Sequence, residues 1–136
     1  MSMKSDHFWQ DFADQMMEEH SVNFRVTAQS KRDLKDYYSK RRHFEVADEI
    51  EGRIISGMYP PPSGTANHLD APDHMYGKIK NRKTGLRVIY YPYVEESIDH
   101  FLLLIAGPRS DNEVYNELKS RLLSTGRPEH DIRKYR

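Results

Sequence analysis

Three strand-like segments follow one another between residues 75 and 106, and they constrain the fold of this chain more than any other feature. They cover residues 75–81, 86–93 and 98–106. Each is rich in β-branched, aromatic or aliphatic residues, and the breaks at 82–85 and 95–97 consist of charged residues, Ser, Thr and Gly. Because connections this short join antiparallel neighbours, the sequence predicts an antiparallel meander.

Periodicity predicts four helices and one more strand around this meander. Apolar residues recur at helical spacing in residues 5–20, 30–38, 44–56 and 113–123, and they alternate in residues 23–28. Ser30 is expected to cap the second helix, and Asp111 or Asn112 the last. The predicted fold class is α+β, with an antiparallel twisted sheet in the order β-α-α-β-β-β-α, helices packed on one face and an extra N-terminal helix.

The chain divides into one domain with two extensions. Residues 22–124 form the predicted domain, residues 1–21 an amphipathic helical appendage, and residues 125–136 a polar C-terminal tail. The appendage carries an apolar stripe of Phe8, Trp9, Phe12 and Met16. In the third helix, the expected buried stripe is Phe44, Ala47, Ile50 and Ile54.

Composition excludes some classes of site and leaves others open. The chain has no Cys, so it has neither disulfides nor thiolate metal sites. We expect a cytoplasmic protein without a membrane partner, because no apolar run has the length of a membrane span and no signal pattern opens the chain. The formal charge is zero, but residues 1–75 carry 9 Lys and Arg against 13 Asp and Glu, and residues 76–136 carry 12 against 8. This asymmetry is compatible with a basic functional face in the second half.

Five polar residues in that second half form the candidate site. They are Lys78, Lys80, Arg87, Arg109 and Tyr115. Each lies on or beside a predicted strand or at the start of the last helix, so they can converge on one spot. Cations around one aromatic ring are suited to holding a phosphate and stacking a base. Alternating charge on a half-buried strand has the same appearance when it only faces solvent, so the argument depends on the five residues together.

Three segments that contain these residues resemble the RelE/ParE superfamily of bacterial toxin–antitoxin toxins. They are residues 76–80 (YGKIK), 84–90 (TGLRVIY) and 107–115 (GPRSDNEVY). The second is similar to the family's strand with Gly, an aromatic, Arg, two hydrophobic residues and Tyr, with Leu86 in place of the aromatic. The third is similar to its G-x-R…E-V-Y ending. The likeness covers residues 22–124.

The resemblance implies a function and assigns the site residues to it. In the RNA-cleaving RelE branch, two lysines one residue apart, a strand arginine, an arginine after the third strand and a terminal tyrosine form the active site, which here corresponds to Lys78, Lys80, Arg87, Arg109 and Tyr115. We therefore expect a metal-independent endoribonuclease that cleaves mRNA on the ribosome and is neutralised by a cognate antitoxin protein. No metal and no cofactor are expected.

Cleavage of RNA by attack of the 2′-OH on phosphate needs a base, charge stabilisation and protonation of the leaving oxygen. Lys78 and Lys80 point to the same side of a strand, and repulsion is expected to lower the pKa of one of them so that it can act as base. Arg87 suits the phosphate through its planar fork. By the resemblance, Arg109 stabilises or protonates the leaving group, and Tyr115 stacks on a base.

Other basic residues are candidates for RNA binding. They are Arg82 and Lys83 in a predicted turn, and Lys40, Arg41 and Arg42 at a predicted helix end. The N-terminal helix carries five acids, so it is either a damper that competes with RNA phosphates, a cap on the core, or the interface of a homodimer. Two other functions stay open: a ParE-like toxin that inhibits gyrase by protein binding, and a fold relative without activity.

Overall fold

The computed structural model describes residues 2–57, 69, 73, 75–108 and 110–135. Within these residues the chain forms four α-helices and four β-strands. The helices are α1 (Ser2–His20), α2 (Ala28–Ser39), α3 (His43–Ser56) and α4 (Asp111–Thr125), and the strands are β1 (Val22–Val26), β2 (Gly77–Asn81), β3 (Leu86–Glu95) and β4 (Ile98–Gly107). The α+β class is therefore confirmed, with element ends that differ from the predicted ones by a few residues.

The four strands form one mixed sheet in the order β1-β4-β3-β2. The meander of β2, β3 and β4 is antiparallel as predicted. The prediction of a wholly antiparallel sheet is wrong, because β1 lies parallel to β4, with Phe24 opposite Phe101. Short turns determine the direction of consecutive strands only. No short turn joins β1 to β4, so its direction depends on how the intervening helices pack.

Helices cover both faces of the sheet, so the prediction that they pack on one face is wrong for α4. Helices α1, α2 and α3 pack in one core with Val88 and Phe101 of the sheet. On the opposite face, α4 packs on Ile89 and Leu102. Successive residues of β3 and β4 are apolar, so both faces of these central strands need cover.

Helix α1 belongs to the first of these cores. Trp9, Phe12 and Met16 are at most 8% exposed, and the ring of Phe12 lies edge-on to that of Phe24, 5.1 Å away between centroids. The apolar stripe of α1 is thus buried within its own chain. It lies on the sheet face opposite to that of α4.

Two helix caps and the position of one side chain differ from the sequence-based predictions. Thr27, not Ser30, caps α2, and Ser30 completes a capping box three residues later. Ser110, not Asp111 or Asn112, caps α4, because its side chain accepts a hydrogen bond from the Glu113 N–H. Phe44 is 62% exposed although it was expected in the buried stripe of α3. It stands at the second position of the helix, where it reaches only the edge of the core.

The segment after α4 folds back onto the domain. Pro128 is buried, and Arg127 donates a hydrogen bond to Asp73 across 2.6 Å. The hydroxyl of Tyr76 donates to Glu129. These contacts tie the C-terminal turns to the residues that precede β2. Among the helices that the structure describes, none has the length and apolar character needed to cross a membrane.

Candidate functional site

Four of the five predicted site residues lie together on the α4 face of the sheet. Lys78 and Lys80 alternate with the core residue Ile79 on β2, so both point toward the α4 side. Lys80 is directly opposite Arg87 on β3, which places these two side chains on the same face. The fourth residue, Tyr115, lies on α4. The fifth, Arg109, lies outside the described residues.

The contact between Lys78 and Tyr115 joins the sheet to α4. Lys78 is only 7% exposed, and its Nζ donates a hydrogen bond of 3.0 Å to the Tyr115 hydroxyl. The same ammonium lies 5.7 Å from the centroid of the tyrosine ring. A lysine buried to this extent needs a polar partner, and the phenol provides one.

Asp111 joins the other two cations of the site. One carboxylate oxygen accepts a hydrogen bond from Lys80 Nζ and the other accepts from Arg87 Nε, each across 3.0 Å. These two hydrogen bonds, first that of Lys80 and then that of Arg87, hold the pKa of the Asp111 carboxyl below its usual value. We refer to Lys78, Lys80, Arg87, Asp111 and Tyr115 as the cationic cluster.

Sequence reasoning missed the place of Asp111 in this cluster. The sequence pattern indicates only a capping role for Asp111, whereas Ser110 is the cap and Asp111 is the first residue inside the helix. An acid in the first helical turn is ordinarily explained by the helix dipole. Asp111 follows closely after the end of β4, and that end of β4 lies opposite Arg87. This closeness along the chain is the sequence signal that places Asp111 near Arg87.

The chemistry available to the cluster is anion binding by fixed donors. Lys80 and Arg87 already hold two oxygens of one carboxylate, and a phosphate offers oxygen acceptors of the same kind. Arg87 also donates from Nη1 to the Leu86 carbonyl, and only 12% of its side chain is exposed, so its orientation is restricted. Restricted donors are the kind that stabilise charge without reorganising.

The predicted RNA-binding residues come from two segments that meet at one end of the sheet. Arg82 and Lys83 are exposed in the turn between β2 and β3. Arg42, between α2 and α3, donates across 3.3 Å to the Thr84 carbonyl of that turn. The two basic segments are therefore neighbours, although they lie 42 positions apart at this contact.

Two of these basic residues are already paired with acids. Lys40 lies 3.0 Å from Asp36, and Arg42 lies 2.6 Å from Glu45. Both pairs are short-range contacts at the surface, where such pairs contribute little to stability and exchange readily. Arg41 is exposed at a positive φ of 59° in the turn between α2 and α3.

Among the described residues, a groove and a group of potential metal ligands lie away from the cationic cluster. A groove of about 800 Å³ runs between α1, β1 and the start of α2, and none of the cluster residues lines it. Glu19, His20 and Glu51 form a group of potential metal ligands. The 3.2 Å contact between His20 Nε2 and the Glu51 carboxylate is an ordinary hydrogen bond and accounts for this arrangement. Neither feature adjoins the exposed cations Arg82 and Lys83, which are the kind of residues that contact the backbone of a nucleic acid.

Comparison with known proteins identified no relative: no family model, no curated protein and no solved structure matches this chain.

Proposed function

We propose that this chain is a RelE-like toxin, an endoribonuclease that cleaves mRNA by attack of a 2′-OH on the adjacent phosphate. The observation that carries the proposal is the convergence of Lys78, Lys80, Arg87 and Tyr115 in one cluster on one face of the sheet. These residues come from β2, β3 and α4, and their chemistry is that of phosphate binding and base stacking.

In the proposed reaction, Arg87 and Lys80 bind the scissile phosphate. The restricted guanidinium of Arg87 and the ammonium of Lys80 stabilise the extra negative charge that develops on the phosphate oxygens as the 2′ oxygen attacks. The attack forms a bond from that oxygen to phosphorus and breaks the bond from phosphorus to the 5′ oxygen. A cyclic phosphate and a free 5′ hydroxyl result.

Lys78 is the residue that we assign to removal of the 2′ proton. Its partner is the Tyr115 hydroxyl, which can accept a hydrogen bond from an ammonium or donate one to a neutral amine. The partner of Lys80 is a carboxylate, which accepts a hydrogen bond and has none to donate. The Tyr115 ring stacks on a neighbouring base. By the resemblance, Arg109 stabilises or protonates the leaving group.

The basic turn and the neighbouring helix corner extend the proposed RNA surface beyond the cluster. Arg82 and Lys83 follow directly after β2, which carries both lysines of the cluster. An mRNA bound at the cluster is therefore expected to contact the turn and then residues 40–42. The ribosome and a cognate antitoxin protein are the partners that this function implies.

The proposal is tested by inducible expression with mapping of RNA ends, followed by cleavage of message by purified protein in the presence of a chelator. Wild-type protein is expected to cleave with or without the chelator, and to leave 5′ hydroxyl ends. Arg87→Ala is expected to lower the rate by about 10²–10³-fold, since it removes a donor to the transition state. Arg32→Ala is the matched control, because Arg32 is an exposed cation of α2 on the opposite sheet face.

Equal cleavage by wild type and Arg87→Ala would contradict the assignment of the site. Growth arrest with intact message and damaged DNA would favour the ParE-like alternative. If folded wild-type protein neither cleaves message nor damages DNA, the third alternative, a fold relative without activity, is favoured.

A further inference from the structure

Asp111 occupies the position in the cluster where an incoming phosphate is expected. Its two carboxylate oxygens take the hydrogen bonds of Lys80 and Arg87, the two cations that the proposed function assigns to phosphate binding. It is also the first residue of α4, a helix of 15 residues, and the helix N-terminus favours negative charge at this point. The Asp111 carboxylate thus occupies a position where two cations and a helix N-terminus favour a negatively charged group.

We propose that Asp111 is a displaceable internal anion that sets which phosphates the cluster accepts. Its carboxylate leaves Lys80 and Arg87 when a substrate phosphate binds. This inference rests on the proposed function, because it takes the phosphate to be that of a single-stranded RNA.

Departure of Asp111 does not disturb the helix that carries it. The capping hydrogen bond of α4 is made by Ser110 with Glu113, so the Asp111 side chain has no capping role. Its side chain is 38% exposed and can turn toward solvent. Among the described residues, Asp111 loses its hydrogen bonds to Lys80 and Arg87, and the phosphate replaces both.

The exchange gives the cluster a basis for selecting its ligand. A lone phosphate ion gains only the two contacts that Asp111 gives up, so it has little advantage over the carboxylate. An RNA segment gains them together with stacking on Tyr115 and phosphate contacts along the basic turn of Arg82 and Lys83. Displacing Asp111 costs the same free energy for both ligands, so a lone phosphate ion is left with weak binding, whereas RNA keeps the affinity that its additional contacts provide.

A binding experiment with Asp111→Asn tests this inference. The probes are a single-stranded RNA oligonucleotide with 2′-O-methyl groups, which blocks cleavage, and inorganic phosphate. Asp111→Asn is expected to bind the oligonucleotide about threefold to tenfold more tightly than wild type, as the removal of one or two surface ion pairs implies. The gain for inorganic phosphate is expected to be of the same size, because both probes displace the same two hydrogen bonds. Asp111→Glu, which keeps a carboxylate, is expected to stay close to wild type.

Glu113→Gln is the matched control. It removes the same charge from the same helical turn, and Gln preserves the capping box, but Glu113 does not contact Lys80 or Arg87. It is expected to change affinity by less than Asp111→Asn does. Asp111→Ser is a second substitution that removes the carboxylate and is compatible with the first turn of a helix.

Each outcome decides between the inference and the function on which it rests. If wild type binds RNA and Arg87→Ala loses that binding, but Asp111→Asn and Asp111→Ser gain nothing, the inference is overturned and the proposed function stands. If no variant binds RNA but Asp111→Asn gains affinity for inorganic phosphate, the internal anion stands and the RNA function fails. Weaker binding of both probes by folded Asp111→Asn and Asp111→Ser also overturns the inference, because Asp111 would then act by holding the cations in place.

Discussion

Lys78 of β2 and Tyr115 of α4 are joined by a hydrogen bond of 3.0 Å, although 37 positions separate them in the chain. The contact brings the hydroxyl of the tyrosine to a buried ammonium, and the partly buried side chain also packs against the core on the α4 face of the sheet. The two parts of this side chain have different proposed roles. The ring stacks on a base, and the hydroxyl holds the lysine that removes the 2′ proton.

Substitution of Tyr115 separates these two roles. Tyr115→Phe keeps the ring and removes the partner of Lys78, so RNA binding is expected to persist while the single-turnover cleavage rate falls. Tyr115→Ala also removes the ring and is expected to weaken RNA binding by about 1–3 kcal/mol. Fluorescence anisotropy and single-turnover cleavage measure the two quantities. Equal loss of RNA affinity in both variants would contradict the stacking role.

A buried ion pair stabilises the junction where β1 ends. Arg121 of α4 donates to both carboxylate oxygens of Asp33 on α2, across 2.7 and 2.9 Å, and also donates to the Leu104 carbonyl. Asp33 accepts a hydrogen bond from the Ala106 N–H as well. The pair therefore satisfies backbone groups of β4 beyond the stretch that β1 covers, which ends opposite Leu103.

Loss of Asp33 should be among the most damaging single changes. Asp33→Ala leaves the guanidinium of Arg121, whose side chain is 9% exposed, without its bidentate partner. We expect a loss of about 3–5 kcal/mol in the free energy of unfolding, measured by urea denaturation. Glu117→Ala is the control, because it removes a second, more exposed acid from the same arginine and should cost about 1 kcal/mol or less. Similar losses of unfolding free energy in both variants would show that the buried Asp33 contributes no more to stability than the more exposed Glu117.

Gly77 is required by the packing of β2 on β3. A Cβ at this position would overlap the ring of Tyr90, which is fully buried and stacks on Phe101 at 4.3 Å between centroids. Gly77→Ala is therefore expected to lower the free energy of unfolding by about 1–3 kcal/mol, the usual cost of overpacking. The hydroxyl of Tyr90 accepts a hydrogen bond from Arg53, which further restricts movement of the ring.

Gly52 provides the control for this substitution. It lies in the middle of α3, and among the described residues nothing outside the local helix backbone lies within 4 Å of a Cβ added at this position. Gly52→Ala is expected to stabilise the protein by about 0.5–1 kcal/mol, because alanine is the better helix former. A neutral effect of Gly77→Ala, measured beside this control, would mean that β2 can shift away from β3.

The stability of the protein should decrease in mild acid because of two histidines, the buried His100 and the half-buried His43. Burial lowers the pKa of His100 below its ordinary value of 6.5 and also lowers that of His43. The unfolded chain then binds more protons than the folded one, so the free energy of unfolding falls as the pH decreases from about 6.5 toward the lowered pKa values. His100→Gln should reduce this dependence without abolishing it, since His43 remains. Urea denaturation at several pH values measures the effect, and an unchanged pH dependence in His100→Gln would contradict it.

Local sequence patterns were sufficient for the secondary structure and for the meander. Hydrophobic period and turn residues depend on near neighbours, and the antiparallel pairing of β2 with β3 and β3 with β4 follows from the two short turns between them. The same locality places Lys78 and Lys80 on one side of a strand. That is why four members of the predicted site could be named before any tertiary contact was known.

Only the tertiary structure decided the direction of β1, the face on which α4 packs and the place of Asp111. Each depends on groups that are distant in sequence, and no local pattern encodes which of several compatible arrangements buries the most apolar surface. The continuous apolar run of β4 indicates that both faces of the sheet are covered, but it does not indicate which helix covers which face. Asp111 meets Lys80 and Arg87 because β4 ends beside Arg87 and α4 begins there, and this proximity results from the packing of the whole sheet.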